Sequence, residues 1–212
     1  MTPTPTAGLL LDAMGTLIGL RQSVGTTYAA LAQAHGLKVE AAAIDRVFPS
    51  IYSQAPPLAF PGLTGDGLAA AELAWWGERI NACLEQAGAG SAPPALQQEL
   101  FAHFANPDLW HVFSEVPEQL QRWKDRGLKL AVVSNFDQRL HGLLAGLGLS
   151  PWIDAVVISS DAGAAKPDPL PLRLALNALG LEAHQVWHVG DSRADEQAAA
   201  AAGIRCVLVK RP

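Results

Sequence analysis

The chain has 212 residues, half of them hydrophobic and 17% charged, with a net charge of −5. That charge fraction is below the ~25% typical of soluble chains and supports a sizeable buried core, in one large domain or a core with a modest insertion. No basic cluster marks a nucleic-acid surface, and the Thr/Pro tail at residues 1–6 has neither the positive charge of a signal peptide nor the apolar run of a membrane span. Cys83 and Cys206 lie far apart without metal-ligand spacing and read as reduced packing residues. The expectation is a cytoplasmic protein with no nucleic-acid and no membrane partner.

Residues 7–13 (AGLLLDA) form a short apolar run closed by an acid, the pattern of a strand buried on both faces in a parallel sheet. About a hundred residues follow with no convincing strand. Within them 23–35, 40–54, 67–86 and 94–105 read as helices, Gly36 ends the first, and 55–67 (APPLAFPGLTGDG) is a Pro/Gly loop. Strand-like runs return at 128–134, 153–159, 185–189 and 204–209. Helices precede or separate them at 117–126, 138–147, 170–179 and 194–202. Gly127, Gly148, Gly180 and Gly203 stand where C′ glycines end helices. The alternation predicts an α/β fold, a Rossmann-like parallel sheet core with helices on both faces plus an inserted all-helical cap. The core is placed at residues 1–19 and 112–212 and the cap at 20–111. An insertion after the first strand is expected over the carboxyl ends of the strands, where open α/β sheets bind ligands.

Four strand ends carry polar groups that packing does not require. Asp12 closes the first strand and leads into Ala13-Met14-Gly15-Thr16; Ser134-Asn135 closes the second. Lys166 lies in AKPDP after the third, and the sequence from Gly190 to Asp195 (GDSRAD) follows the fourth. Each alone is an ordinary turn segment. All four in order converge on one crevice of a parallel sheet. A carboxylate such as Asp12 can attack phosphorus and split one hard step into two, provided a cation offsets its repulsion from an anionic substrate.

With DAMGT, VVSN, AKPDP and GDSRAD in this order, the chain resembles the haloacid dehalogenase superfamily over nearly its whole length, and the insert has the position of that family's helical C1 cap. Trp75-Trp76 and SNFD resemble one branch within it. These motifs are specific for fold and metal site and much less so for substrate. The resemblance implies a Mg²⁺-dependent hydrolase, a monomer or homodimer, that acts on a small phosphorylated metabolite through an aspartyl phosphate on Asp12. It implies Mg²⁺ on Asp12, the backbone carbonyl of Met14 and Asp191, with Asp195 binding directly or through water. Lys166 is implied as the catalytic cation, neutralising phosphoryl oxygens and Asp12. Ser134, the Asn135 N–H and Thr16 join Lys166 in binding substrate.

One departure matters. Phosphatases of this superfamily carry a second aspartate two residues after the nucleophile, and here that position is Met14. Loss of such a proton shuttle removes a contribution of ~10²–10⁴-fold, so ordinary alkyl phosphates should turn over slowly. Asp137, His111 or a substrate group are the candidate substitutes. Three other readings stay open: a Mg²⁺- and phosphate-binding regulatory module, a metal-independent 2-haloacid dehalogenase suggested by DAMGT, and a phosphonatase using Lys38. Of Trp75 and Trp76, one is expected in the cap core and the other towards cleft or solvent. Arg21 reads as an exposed salt-bridging residue, and His188 as a hydrogen-bonded structural histidine in a buried strand.

Overall fold

The computed structural model describes residues 6–211, so the tail read at 1–6 lies outside it except for Thr6. β1 (Gly8–Leu11) is buried along its whole length, as its unbroken apolar run requires. The chain then passes through β2 (Ile18–Leu20) into four helices, α1 (Val24–Ala34), α2 (Ala41–Gln54), α3 (Gly65–Gln86) and α4 (Pro94–His103), and returns through β3 (Trp110–Val112). There follow α5 (Val116–Asp125), β4 (Lys129–Ser134), α6 (Arg139–Gly146), β5 (Ala155–Ile158), the short α7 (Ser159–Ala162), α8 (Leu170–Leu179), β6 (Val186–Gly190), α9 (Arg193–Ala202) and β7 (Arg205–Leu208). The four glycines placed at helix ends have φ between +63° and +77°, the left-handed conformation that closes a helix.

The sheet runs β5-β4-β1-β6-β7, every neighbour parallel. β1 is central, with Leu11 opposite Val132 on one side and Val189 on the other. Asp12 therefore leaves the sheet between the ends of β4 and β6. On one face Leu10, Ala131 and Val133 pack with Leu172, Ala175 and Leu176 of α8 and with Ala198 and Ala199 of α9. On the other, Leu9, Leu11, Trp187 and Val189 look across a cavity of about 360 Å³ towards Val116, Gln119 and Trp123 of α5. No described helix is long and apolar enough to cross a membrane.

The chain forms two compact units. The first takes in the chain up to Gly19, the loop Leu58–Thr64 and everything from His111 onwards; the second is Leu20–Pro57 with Gly65–Trp110. The chain passes between them within a two-stranded sheet, β2 with β3, that the sequence does not announce. Three residues are too few to display a period of two.

In the second unit Tyr28, Ala32, Ile44, Ile80, Leu84, Leu96 and Leu100 make the core. Trp75 and Trp76 both pack around Tyr52, one edge-on and one stacked, each 6.1 Å between centroids. Trp75 also donates Nε1–H to the Pro56 carbonyl at 3.0 Å. Lys38 and Arg21 are exposed. The loop Leu58–Thr64 is tied within the first unit. The Ser159 hydroxyl donates to the Leu58 carbonyl at 2.6 Å, and the Phe60 N–H to the Ser160 carbonyl at 3.2 Å. Ser159, read as the end of a strand, opens α7 instead.

Candidate active site

Asp12 is the first residue beyond β1, yet its N–H still donates to the Val189 carbonyl at 2.8 Å, which keeps it in register with β6. The residue is buried, 5% exposed. Lys166 Nζ lies 2.6 Å from Asp12 Oδ1, 2.6 Å from Asp195 Oδ1 and 2.9 Å from the Val133 carbonyl, so all three ammonium hydrogens have acceptors. The Ser134 hydroxyl donates to the same Asp12 oxygen at 3.2 Å. Asp12 Oδ2 is left without a hydrogen bond among the described residues. The site thus anchors one oxygen of the carboxylate and leaves the other free.

Lys166 is itself held through its backbone. The Asn135 amide donates Nδ2–H to the Lys166 carbonyl and accepts the Lys166 N–H on Oδ1, both at 2.8 Å. Two planar bonds to one peptide segment fix where the lysine stem begins, a role beyond the phosphate contact expected of Asn135.

Asp195 has no acceptor capacity to spare. Oδ1 faces Lys166 Nζ at 2.6 Å and His188 Nε2 at 2.9 Å; Oδ2 takes the Ser192 hydroxyl at 2.5 Å and the Ser192 N–H at 3.1 Å. A carboxylate offers about four lone-pair positions, and these four are filled. The Ser192 contacts are a capping box at the start of α9, reciprocated by Asp195 N–H to Ser192 Oγ at 3.2 Å. Asp191, by contrast, is exposed. Ligand oxygens of Asp12, Asp191 and Asp195 lie within 4.8 Å of one another.

Space enforces both motif glycines. Gly15 has φ +77°, and a Cβ there would fall 2.1 Å from Asp191 Oδ2; a Cβ on Gly190 would fall 2.3 Å from Asp195 Cγ. The carboxylates approach the backbone only because no side chain intervenes.

Three carboxylates face one ammonium, and the charges respond accordingly. Burial alone would lower the Lys166 pKa, but Asp12 and Asp195 outweigh it and hold it above the ordinary value. Burial would raise Asp195; the bonds from His188, Lys166 and Ser192 hold it far below the usual carboxylate range. At Asp191 the balance goes the other way, a backbone hydrogen bond and Lys166 being outweighed. Partial burial, then the like charges of Asp12 and Asp195, raise its pKa.

Of the residues singled out from sequence, Asp12, Ser134, Lys166, Asp191 and Asp195 come together, with Asn135 behind Lys166. Met14 sits in the turn after Asp12 and is 40% exposed. Thr16 is buried in the same turn, its hydroxyl without a hydrogen-bond partner, and it lines the cavity beside α5. Of the two residues considered as substitutes for the missing acid, Asp137 is already engaged. Asp137 is fully buried and bound on both oxygens by Arg139, at 2.8 and 2.6 Å, while His111 packs edge-on against Phe113 at 5.0 Å.

Sequence reading underrates three residues. His188 contacts Asp195 directly, Ser192 holds its other oxygen, and Arg211 reaches the turn after Asp12. The Arg211 guanidinium lies 3.8 Å over the Phe113 ring, pairs with Glu115, and donates to the carbonyls of Gly15 and Thr16. Only Ser192 had a legible signal, its three-residue spacing from Asp195.

A family profile described as "Hydrolase: haloacid dehalogenase-like hydrolase" matches residues 6–203. The chain is 38% identical over 208 residues to the haloacid dehalogenase-like hydrolase domain-containing protein 3 of Bos taurus, covering 96% of this chain and 82% of the relative. This is the branch that Trp75-Trp76 and SNFD resemble. It is also 42% identical over 97 residues to a phosphoglycolate phosphatase of Pectobacterium atrosepticum, spanning 45% of this chain and 42% of the relative. Its fold is similar to that of L-2-haloacid dehalogenase from Xanthobacter autotrophicus with chloropropionic acid covalently bound, with a TM-score of 0.68 at 20% identity over 96% of this chain and 77% of that one. Sheet order, inserted helices, the Asp12–Lys166–Asp195 contacts and the profile agree: the chain belongs to the haloacid dehalogenase-like hydrolases.

Proposed function

We propose that this hydrolase cleaves the phosphate ester of a small phosphorylated metabolite in a Mg²⁺-dependent reaction, through an aspartyl phosphate on Asp12. The observation that carries the reading is the cluster of Asp12, Asp191 and Asp195, two of which, Asp12 and Asp195, pair with the buried ammonium of Lys166. The donor set is all oxygen and over-negative, which suits a hard divalent cation. Such an ion would be held by Asp12, the Met14 carbonyl and Asp191, with Asp195 acting through water because its own acceptors are filled. When bound it supplies charge neutralisation at the phosphoryl oxygens.

The residues divide the remaining work. Asp12 Oδ2 attacks phosphorus as the bond to the leaving oxygen breaks, while Lys166 and Ser134 hold Oδ1 and keep the carboxylate aimed. Lys166, its hydrogens already engaged, offsets the charge of the transferred phosphoryl group, which Ser134 and the Asn135 N–H receive, and Thr16 belongs to the turn that follows Asp12. Water then attacks the phosphorus of the acyl phosphate, releasing phosphate and restoring Asp12. With methionine at position 14 the leaving oxygen takes its proton from solvent or substrate, so substrates with good leaving groups should react fastest. The phosphoglycolate phosphatase relative supports a small phosphorylated metabolite as substrate.

The first test is hydrolysis of an aryl phosphate. Turnover is expected to vanish with chelator, to return with Mg²⁺ and to be absent in Asp12→Asn, which cannot form the acyl phosphate. Chelator-insensitive chloride release from 2-chloropropionate would instead assign a dehalogenase. Phosphate binding without turnover across a wide panel of phosphorylated metabolites would assign a regulatory module.

A further inference from the structure

His188 has no exposed surface. It lies in β6 directly beside Leu10 of β1, and its strand neighbours on that face belong to the apolar core under α8 and α9. A leucine or valine would serve packing here. Burying an imidazole costs free energy unless both ring nitrogens find partners, and both do. Nδ1 lies 3.0 Å from the Leu10 carbonyl and Nε2 2.9 Å from Asp195 Oδ1.

These contacts close a ring. From the Leu10 carbonyl the path runs to His188, to Asp195 Oδ1, to Lys166 Nζ, to Asp12 Oδ1, and back along two residues of backbone to Leu10. The separation between Lys166 and the nucleophile is therefore gauged from the nucleophile's own strand. Ser192 binds only Oδ2 of Asp195, whereas Oδ1 has His188 and Lys166 as its partners. His188 is the contact that ties the oxygen used by Lys166 back to the sheet.

We infer that His188 is a positioning residue that fixes the Asp195 carboxylate, and through it the Lys166 ammonium, against Asp12. The inference rests on reading Asp12 and Lys166 as the reacting pair. Partners one shell behind a reacting group typically contribute 10–100-fold, and that sets the expected size.

The test compares His188→Leu, His188→Gln and His188→Asn, each with its melting temperature. With an aryl phosphate and Mg²⁺, kcat should fall ~10–100-fold in His188→Leu while KM stays near wild type. His188→Gln, whose amide nitrogen reaches the place of Nε2, should recover most of that loss. His188→Asn reaches only towards Leu10 and should not. A residue that merely packs predicts a wild-type kcat for leucine, or a kcat that follows melting temperature whatever the donor's position; either result overturns the inference. A second readout needs no turnover. Reductive methylation of native protein should label Lys166 several-fold faster in His188→Leu than in wild type, and at the wild-type rate in His188→Gln. Equal labelling in His188→Leu overturns the inference as well. An inactive wild type with the expected labelling pattern would remove the phosphatase reading and leave the positioning role in place.

Discussion

Met14 is half in solvent, so an acid placed there would not be forced into an apolar interior. Met14→Asp is therefore expected to fold with little change in melting temperature and to raise turnover on ordinary phosphomonoesters, by up to ~10²–10⁴-fold if the new carboxyl shuttles protons fully. On the proposed mechanism the missing base slows breakdown of the acyl phosphate, so phosphorylated Asp12 should accumulate in wild type with acetyl phosphate. Acid-quench mass spectrometry reads the adduct; its absence, together with no gain in a stable Met14→Asp, would move the regulatory module ahead of the enzyme. Lys166 shows the opposite economy. Lys166→Met leaves Asp12 and Asp195 buried and unneutralised, a loss on the order of 3–5 kcal/mol, measurable as a lower urea midpoint. Cys83 is inert by comparison: burial pushes its thiol up to about 11, and a neutral-pH alkylating reagent should leave it unmodified until the protein unfolds.

The turns and caps between elements decide where these side chains go. Gly15 combines a left-handed backbone with the Asp191 carboxylate pressed against it, so Gly15→Ala should displace Asp191 and cut turnover by the proposed Mg²⁺-dependent route far more than it lowers the melting temperature. Asp154, just before β5, gathers three elements: Lys124 of α5 reaches it at 2.8 and 2.9 Å, and the Leu130 N–H of β4 at 2.7 Å. Burial would raise its pKa, but the Lys124 ammonium and the Leu130 N–H outweigh burial and hold it below the ordinary carboxylate value. A depressed folded pKa stabilises above the unfolded value and is lost as pH falls through the folded one. Wild type should therefore exceed Asp154→Asn in stability at neutral pH, the gap closing below about pH 4; urea unfolding over a pH series measures it. The apolar runs of β1, β4 and β6 and the glycines ending helices were legible in the sequence because their causes are local. β2, β3 and α7 were not, being too short to show a period. The same division holds in the site. Asp12, Ser134, Lys166 and Asp191 announce themselves at strand ends, whereas His188 looks like any buried polar residue until β6 is set beside β1 and α9 is laid across them.

Across the molecule the two units have separate cores, and the reacting groups described above all belong to the first. That unit is assembled from distant stretches of chain. Ser134 meets Asp12 across 122 positions, Lys166 meets it across 154, and Arg211 grips Thr16 across 195. Arg211→Ala should loosen the turn that carries Met14, lowering aryl phosphate turnover with only a modest change in melting temperature; an unchanged rate would mean that Phe113 and Glu115 alone account for the arginine. The same distances bear on how the protein comes into being. On the ribosome Asp12 is made well before Lys166, the lysine paired with it, Asp195, which holds that lysine, and Arg211, which braces its turn, and these three follow in that order. On the proposed mechanism a nascent chain carries Asp12 undirected until Lys166 has been made, and a fragment cut short before Lys166 should be chemically silent towards phosphate esters however well its helices have formed.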